Sequence, residues 1–396
     1  MKNLNYKHVL LLGFLLLSVL TMKAQNYDES KVNEYTLPPL LETEQGEEIV
    51  NQKQWEDVRR PEILKLFEDN VYGQVPKDFD KINFNLLNKD ELALNGDATY
   101  KEVDIELQRN NGKINIRLYL FVPNNITKPA PTFLVINHRG VKTMDVTREN
   151  RDDFWPVEEV ISSGYALAGF DVIDVAPDDK EDYSKVVLEK LYPEHLQMKN
   201  GMRALGAWGW GASRIIDYFE TDQSVDATKV IVLGHSRGGK AALWCGAQDE
   251  RVAIAISNES GNSGAKISRR NYGESVERIT QHFPYWFSPT YSKYANREDE
   301  LPIDQHMLVA LNAPRGVYVA GAAEDDWADN KGQYLSLIEA QPLFRLYGFN
   351  LNLPNEMPKV GELLIQKPMG FHIREGKHNM TLFDWRKFIE FADEVL

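Results

Sequence analysis

Cysteine is almost missing from this chain of 396 residues: Cys245 is the only one. That excludes an internal disulfide, even in an oxidising compartment, and no Cys/His spacing suggests a structural zinc site. A basic excess is missing as well. Against 45 Lys and Arg stand 59 Asp and Glu, a net charge of −14, and no Lys/Arg-rich run occurs. Nucleic acid is therefore not an expected partner, because binding a phosphate backbone needs a basic footprint. An acidic shell does not exclude an acidic substrate, since a few cations inside a cleft dominate locally. Repeats and low-complexity tracts are absent. The main long apolar run, Val9 to Leu20, is too short for a comfortable membrane span. Lys2 and Lys7 precede it and Thr21-Met22-Lys23-Ala24-Gln25 follow, the layout of a cleaved signal peptide over residues 1–24. With no cysteine near that cut, a lipid anchor on it is excluded. The expectation is a bacterial protein, secreted or periplasmic, with no stable membrane insertion after cleavage.

What is present suits a soluble globular protein. The chain is 43% hydrophobic and 26% charged, and it is long enough to bury a core without covalent staples. Cys245 lies in the apolar stretch Ala241-Ala242-Leu243-Trp244-Cys245-Gly246 and is expected to be buried and inert. Residues 25–99 are mixed and polar, with Pro38-Pro39, Pro61 and Pro76, and read as a segment wrapping the main domain. Two strand-like runs, 100–107 and 113–123, flank Arg109-Asn110-Asn111-Gly112, a hairpin signal. Short β-rich runs then alternate with helical spacing. Strands are expected at 132–137, 165–171, 230–233, 252–257, 316–321 and 369–374. Helices are expected over 209–220, from 240 and over 383–396. Such alternation implies a mainly parallel sheet covered on both faces. Residues 266–306 hold no clear strand but many aromatics, among them Tyr272, Phe283, Tyr285, Trp286 and Phe287, and read as an insertion that roofs a cleft.

The strongest chemical signal is Gly234-His235-Ser236-Arg237-Gly238, directly after the apolar run Val230-Ile231-Val232-Leu233 and directly before a helix. Glycines in Gly-x-Ser-x-Gly permit the tight turn that projects a serine above a sheet, and the helix N-terminus behind it favours developing negative charge. With the edge hairpin and the parallel series, this predicts an α/β-hydrolase fold, a three-layer sandwich over residues 100–396, with Ser236 as nucleophile. In that fold the base follows the last strand. Of the eight histidines, His8, His138, His195 and His235 precede Ser236, His282 and His306 lie in the insertion, and His372 is inside the last strand. His378 remains. The acid is open between Glu259, after the 252–257 run, and Asp325, after the 316–321 run; fold topology alone favours Asp325. Backbone amides beside Ser236 and the His138-Arg139-Gly140 loop are candidate oxyanion donors. Arg237 adds a guanidinium there, unless it is an ordinary helix-surface arginine. A serine nucleophile with a histidine base needs no metal-activated water, so no metal or other cofactor is expected.

At these residues the sequence resembles the glucuronoyl esterases, carbohydrate esterase family 15. The match is to Gly-x-Ser-Arg-x-Gly-Lys, here from Gly234 to Lys240. It extends to Asn258-Glu259-Ser260-Gly261, Tyr272-Gly273-Glu274, His282-Phe283-Pro284-Tyr285-Trp286-Phe287, Ala313-Pro314-Arg315-Gly316 and Asp325-Asp326-Trp327. The resemblance implies hydrolysis of esters between (4-O-methyl)glucuronic acid on glucuronoxylan and lignin alcohols. It makes Ser236 the nucleophile, His378 the base and Arg237 part of the oxyanion hole. It gives Glu259 as the main acid with Asp325 as a second, and Lys240, Glu274 and Trp327 as contacts to the glucuronate ring. His235 stands where fungal members commonly carry cysteine, which together with the missing disulfides places the chain with the bacterial branch. A monomer is expected. Rival readings are a xylan deacetylase, which lacks a use for Arg237 with Lys240, a serine peptidase of the same fold, testable with peptide amides, and a non-catalytic carbohydrate-binding relative, which lacks a use for an intact Ser, His and acids.

Overall fold

Val230-Ile231-Val232-Leu233 is apolar at every position because the strand it belongs to is covered on both faces. Val230 and Val232 pack into one hydrophobic cluster, and Ile231 and Leu233 into the other. The computed structural model describes residues 25–396, so the expected leader lies outside the described residues. Ten strands form one sheet: β1 (Lys81–Ala93), β2 (Ala98–Arg109), β3 (Gly112–Pro123), β4 (Ala130–Asn137), β5 (Ala166–Asp171), β6 (Val225–His235), β7 (Val252–Asn258), β8 (Gly316–Ala322), β9 (Leu363–Gln366) and β10 (Met369–Arg374). Their order is β1-β2-β3-β5-β4-β6-β7-β8-β10-β9. From β5 through β4, β6, β7 and β8 to β10 all neighbours are parallel, while β1–β3 and β9 pair antiparallel at the two edges. This is the α/β-hydrolase sandwich. The helices that matter below are α1 (Arg60–Phe67), α2 (Ala204–Phe219), α3 (Arg237–Gln248), α4 (Val276–His282), α5 (Asn330–Leu346) and α6 (Leu382–Val395). Trp208 of α2, Leu243 of α3 and Leu337 of α5 belong to one cluster; Trp385 and Phe388 of α6 belong to the other.

The sheet starts earlier than the sequence suggested. Lys81–Ala93 lies within the stretch that reads as a wrapping segment, but it is an edge strand. Most of it is solvent-exposed, which explains its polar composition. The rest of the segment does lie against the domain: Gln25 Nε2 donates to the Gly273 carbonyl (3.0 Å), Leu40 and Ile49 join the core, and residues 52–73 pack beneath α3. Arg60 donates to the Ala247 carbonyl at the end of α3 (2.9 Å), and Tyr72 stacks on Trp244 at 4.7 Å. The Tyr72 hydroxyl donates to the Ser263 carbonyl and reaches the Lys240 carbonyl at 3.4 Å. Cys245 is fully buried, which pushes its thiol up to about 12. Between β7 and β8 the chain carries α4, short helical turns and no named strand. Among the described residues no helix is long and apolar enough to cross a membrane.

Candidate active site

Each parallel strand ends on the same side of the sheet, and the reactive residues sit just past those ends. Ser236 follows β6 with φ 55° and ψ −124°, a strained left-handed turn between strand and helix. The turn closes only because Gly234 has no side chain: a Cβ there would stand 2.0 Å from the Gly238 carbonyl oxygen. Glu259 follows β7, also at positive φ (49°). Asp325 lies in the loop after β8 and His378 in the loop after β10. Every residue expected at the site, namely Ser236, Arg237, Lys240, Glu259, Glu274, Asp325, Trp327 and His378, lines one cavity of about 320 Å³. Phe283 and Trp286 from the insertion line it too. A larger groove of about 1050 Å³ lies between residues 25–36 and 268–299 and holds none of these residues, so chemistry rather than size locates the site.

Both candidate acids reach the same imidazole nitrogen. His378 Nδ1 is 2.6 Å from Asp325 Oδ2 and 3.1 Å from Glu259 Oε2. The ranking expected from the family resemblance is therefore reversed in the geometry: Asp325 makes the short hydrogen bond. Glu259 instead shares its carboxylate with Arg374 Nη2 (2.7 Å) and the Asn379 amide (3.1 Å). Burial would lower the His378 pKa, but the two carboxylates outweigh it and push it up to about 9. Burial pushes Glu259 up to about 7, against the opposing pull of His378 and Arg374.

The oxyanion side also differs in detail from expectation. The Arg139 amide is occupied by Asn137 Oδ1 (2.9 Å), which leaves the 138–140 loop without that donor. The first amides of α3 remain. Gly239 and Lys240 turn theirs back to the Ser236 carbonyl (2.9 and 3.2 Å), while those of Arg237 and Gly238 have no carbonyl within the helix. Arg237 lies over Trp286 at 4.6 Å and donates through Nη1 to Asp178 Oδ2 at 2.5 Å; its Nε is buried with no protein partner. Asp178 accepts further bonds on Oδ1 from Tyr285 Oη (2.9 Å) and Trp286 Nε1 (2.7 Å). Sequence reasoning missed Asp178, because Pro177-Asp178-Asp179-Lys180 reads as a solvated loop.

The family resemblance makes Lys240 a contact to the glucuronate ring. Its three N–H groups are instead met by the Ser260 carbonyl (2.6 Å), the Asn262 carbonyl (2.6 Å) and Glu274 Oε2 (2.8 Å). With every donor engaged in a buried site, it holds Glu274 and the 260–262 loop in place. Burial lowers its pKa, and Glu274 opposes that. Trp327 is 36% exposed, unusual for so large an apolar ring, and its carbonyl accepts the Glu274 amide at 2.8 Å. His235, Glu259 and His378 bring ligand atoms within 4.8 Å of one another. Of the two His378 nitrogens, Nδ1 is already shared by Asp325 and Glu259.

Comparison with known proteins gives the family. A family model described as glucuronyl esterase, fungi, matches residues 105–348. A carbohydrate esterase from an unknown prokaryotic organism, MZ0003, is 37% identical over 93% of this chain and 91% of its own. The solved glucuronoyl esterase of Solibacter usitatus is 38% identical, covers 92% of this chain and 99% of its own, and superposes with a TM-score of 0.84. That of Teredinibacter turnerae, a family 15 carbohydrate esterase, is 30% identical over 94% and 92%, with a TM-score of 0.85. The chain belongs to the glucuronoyl esterase family, carboxylic ester hydrolases of the α/β-hydrolase fold.

Proposed function

We propose that the protein is a secreted serine esterase that cleaves esters joining (4-O-methyl)glucuronic acid on glucuronoxylan to lignin alcohols, through an acyl-enzyme on Ser236. The observation that carries the reading is one cavity that joins Ser236, His378 and two carboxylates to the buried Lys240–Glu274 pair. Ser236 Oγ attacks the uronate carbonyl carbon while His378 Nε2 takes its proton. The new oxyanion is met by the Arg237 and Gly238 amides and by the Arg237 side chain. Collapse breaks the ester C–O bond, and His378 returns the proton to the departing alcohol. Water, deprotonated by the same imidazole, then releases glucuronate and restores Ser236. Asp325 and Glu259 hold the Nδ1 tautomer and stabilise the imidazolium. Glu274 accepts from a sugar hydroxyl and Trp327 covers a sugar face, with Lys240 holding Glu274 in place.

The leader over residues 1–24 takes the chain out of the cytoplasm, and the mature protein acts as a monomer. The test is hydrolysis of benzyl glucuronate against an acetyl ester of xylose by purified protein. Preference for the uronate ester, abolished in folded Ser236→Ala and His378→Ala, is expected, since members of such a unit fail together. Equal or better turnover of the acetyl ester would replace the substrate assignment. Activity within tenfold of the parent in either variant would remove the mechanism.

A further inference from the structure

Behind the imidazole lies a buried polar chain that the reaction steps do not use. Arg374, the last residue of β10, is 4% exposed; Glu259 is 1% exposed and Asp384 of α6 is fully buried. Arg374 Nε donates to Asp384 Oδ2 at 2.9 Å. Its Nη1 donates to the Glu375 carbonyl at 2.7 Å. Its Nη2 faces three oxygens: Glu259 Oε1 (2.7 Å), the Lys377 carbonyl (2.7 Å) and the Asn379 carbonyl (2.6 Å). The last two are the carbonyls of the residues on either side of His378. Asp384 is fixed in turn by His372 Nε2 (2.9 Å) and by the Thr381 amide and hydroxyl (2.7 and 2.9 Å), and His372 Nδ1 meets Tyr318 Oη at 2.7 Å.

We infer that Arg374 is the positioning residue of the general base: one guanidinium, anchored on Asp384, clamps Glu259 and the carbonyls of both residues next to His378 into a single rigid unit. The inference rests on His378 acting as the base, as proposed above. A guanidinium suits the task because its donors lie in a fixed plane and stay charged; a lysine at this position reaches fewer of these acceptors. The arrangement has a second effect. Burial favours the neutral form of Glu259, whose pKa lies at about 7, and Arg374 is among the groups that pull it down. With Arg374 present, Glu259 stays an anion where the base works and adds to Asp325 in stabilising the imidazolium. The charged and titratable groups around the pair are Asp325 after β8, Arg374 on β10, Asp384 on α6, His235 at the end of β6, and His138 and Arg139 after β4. Of these, Arg374 is the cation in direct contact with Glu259.

Loss of Arg374 therefore moves a pH profile, which loss of a merely structural residue does not. In Arg374→Gln, Glu259 protonates at neutral pH, His378 loses one of its two anions, and its pKa falls. The acidic limb of kcat/KM is expected to move down by about 1 unit, within the range for removing one close opposite charge. The released loop lowers plateau kcat by about 10- to 100-fold while KM stays within about threefold. Glu259→Gln should give the same direction of shift, and the double variant little more than either single change, because both remove one interaction. Arg374→Lys keeps the charge but not the fork; its limb should stay near the parent's while kcat still falls. The His378 titration is followed independently by proton NMR in the Ser236→Ala background, so a failure of the esterase reading leaves this test intact. If Arg374→Gln does not fold, Arg374→Lys and Asp384→Asn serve, the latter shifting kcat through the loosened anchor. A limb and an NMR titration that stay at the parent position in Arg374→Gln, with losses that multiply in the double variant, would overturn the inference.

Discussion

Asp178 touches neither Ser236 nor His378 in the network described, yet its removal should slow turnover. Asp178→Ala deletes the acceptor of three donors at once: Arg237 Nη1, Tyr285 Oη and Trp286 Nε1. Hydrogen bonds to a charged group contribute about 1.5–3 kcal/mol each. The Arg237 and Asp178 side chains are 27% and 15% exposed, so water replaces part of that. A net stability loss of about 2–3 kcal/mol follows. The kinetic effect is separate. Arg237 keeps its charge and its place over Trp286, but without Asp178 nothing fixes its rotation, and the buried Nε no longer points one way. Complete loss of an oxyanion donor costs about 10²–10³ in kcat. A guanidinium that remains but wanders should cost about 10- to 100-fold, or about 1.4–2.7 kcal/mol of transition-state stabilisation. KM should stay within about threefold, because the donor acts mainly once charge develops. Asp178→Asn preserves the size and one acceptor, and its kcat should fall between the parent and Ala. The assay is steady-state hydrolysis of benzyl glucuronate, with urea unfolding for stability. A folded Asp178→Ala whose kcat lies within twofold of the parent would refute the argument that Arg237 needs an external anchor.

Arg237→Ala should lower kcat by about 10²–10³ with KM little changed, read from saturation curves; a pure KM effect would make it a substrate contact only. Asp325→Ala should be more damaging to kcat than Glu259→Ala, following the 2.6 and 3.1 Å contacts, with each single variant still turning over and the double variant below the product of the two. The acidic limb of kcat/KM should lie alkaline of 6.5, because His378 must be neutral in the free enzyme and its pKa is raised to about 9. By linkage, the same shift stabilises the fold fully below pH 6.5, and that contribution fades as pH rises through about 9, which denaturant titrations across this window measure.

The elbow was legible because its physics is local: an unbroken apolar strand, a glycine where any Cβ would collide, and a helix start all lie within a dozen residues. His378 was legible by its place after the last strand. The acids were readable as candidates but not in rank, since 2.6 against 3.1 Å depends on how two separate loops settle over one ring. Lys240 carried a correct position and an altered role, because its three acceptors come from residues 20 and more positions away. Asp178 and Arg374 left no clear mark. Nothing near Asp178 in the chain announces Arg237, and an arginine ending a strand has meaning only once Asp384 and Glu259 close around it. β1 escaped because its apolar face, Ile82 and Phe84, is short and only half-buried, and α5 carries Pro342 inside it.

The contact of Tyr72 with Trp244 and with the Lys240 and Ser263 carbonyls bears on how this catalyst may be rebuilt. The helix that presents Ser236 rests partly on a piece of chain more than 160 positions earlier. Grafting the elbow and its helix into another hydrolase scaffold without residues 52–73 would carry over a serine whose supporting helix has lost its underside. A chain shortened to begin after Gly73 would face the same deficit, with the Trp244 ring uncovered beneath the helix that follows Ser236. The unit that must be moved or recombined intact is thus discontinuous in sequence, and shuffling boundaries drawn at the start of the sheet cut straight through it.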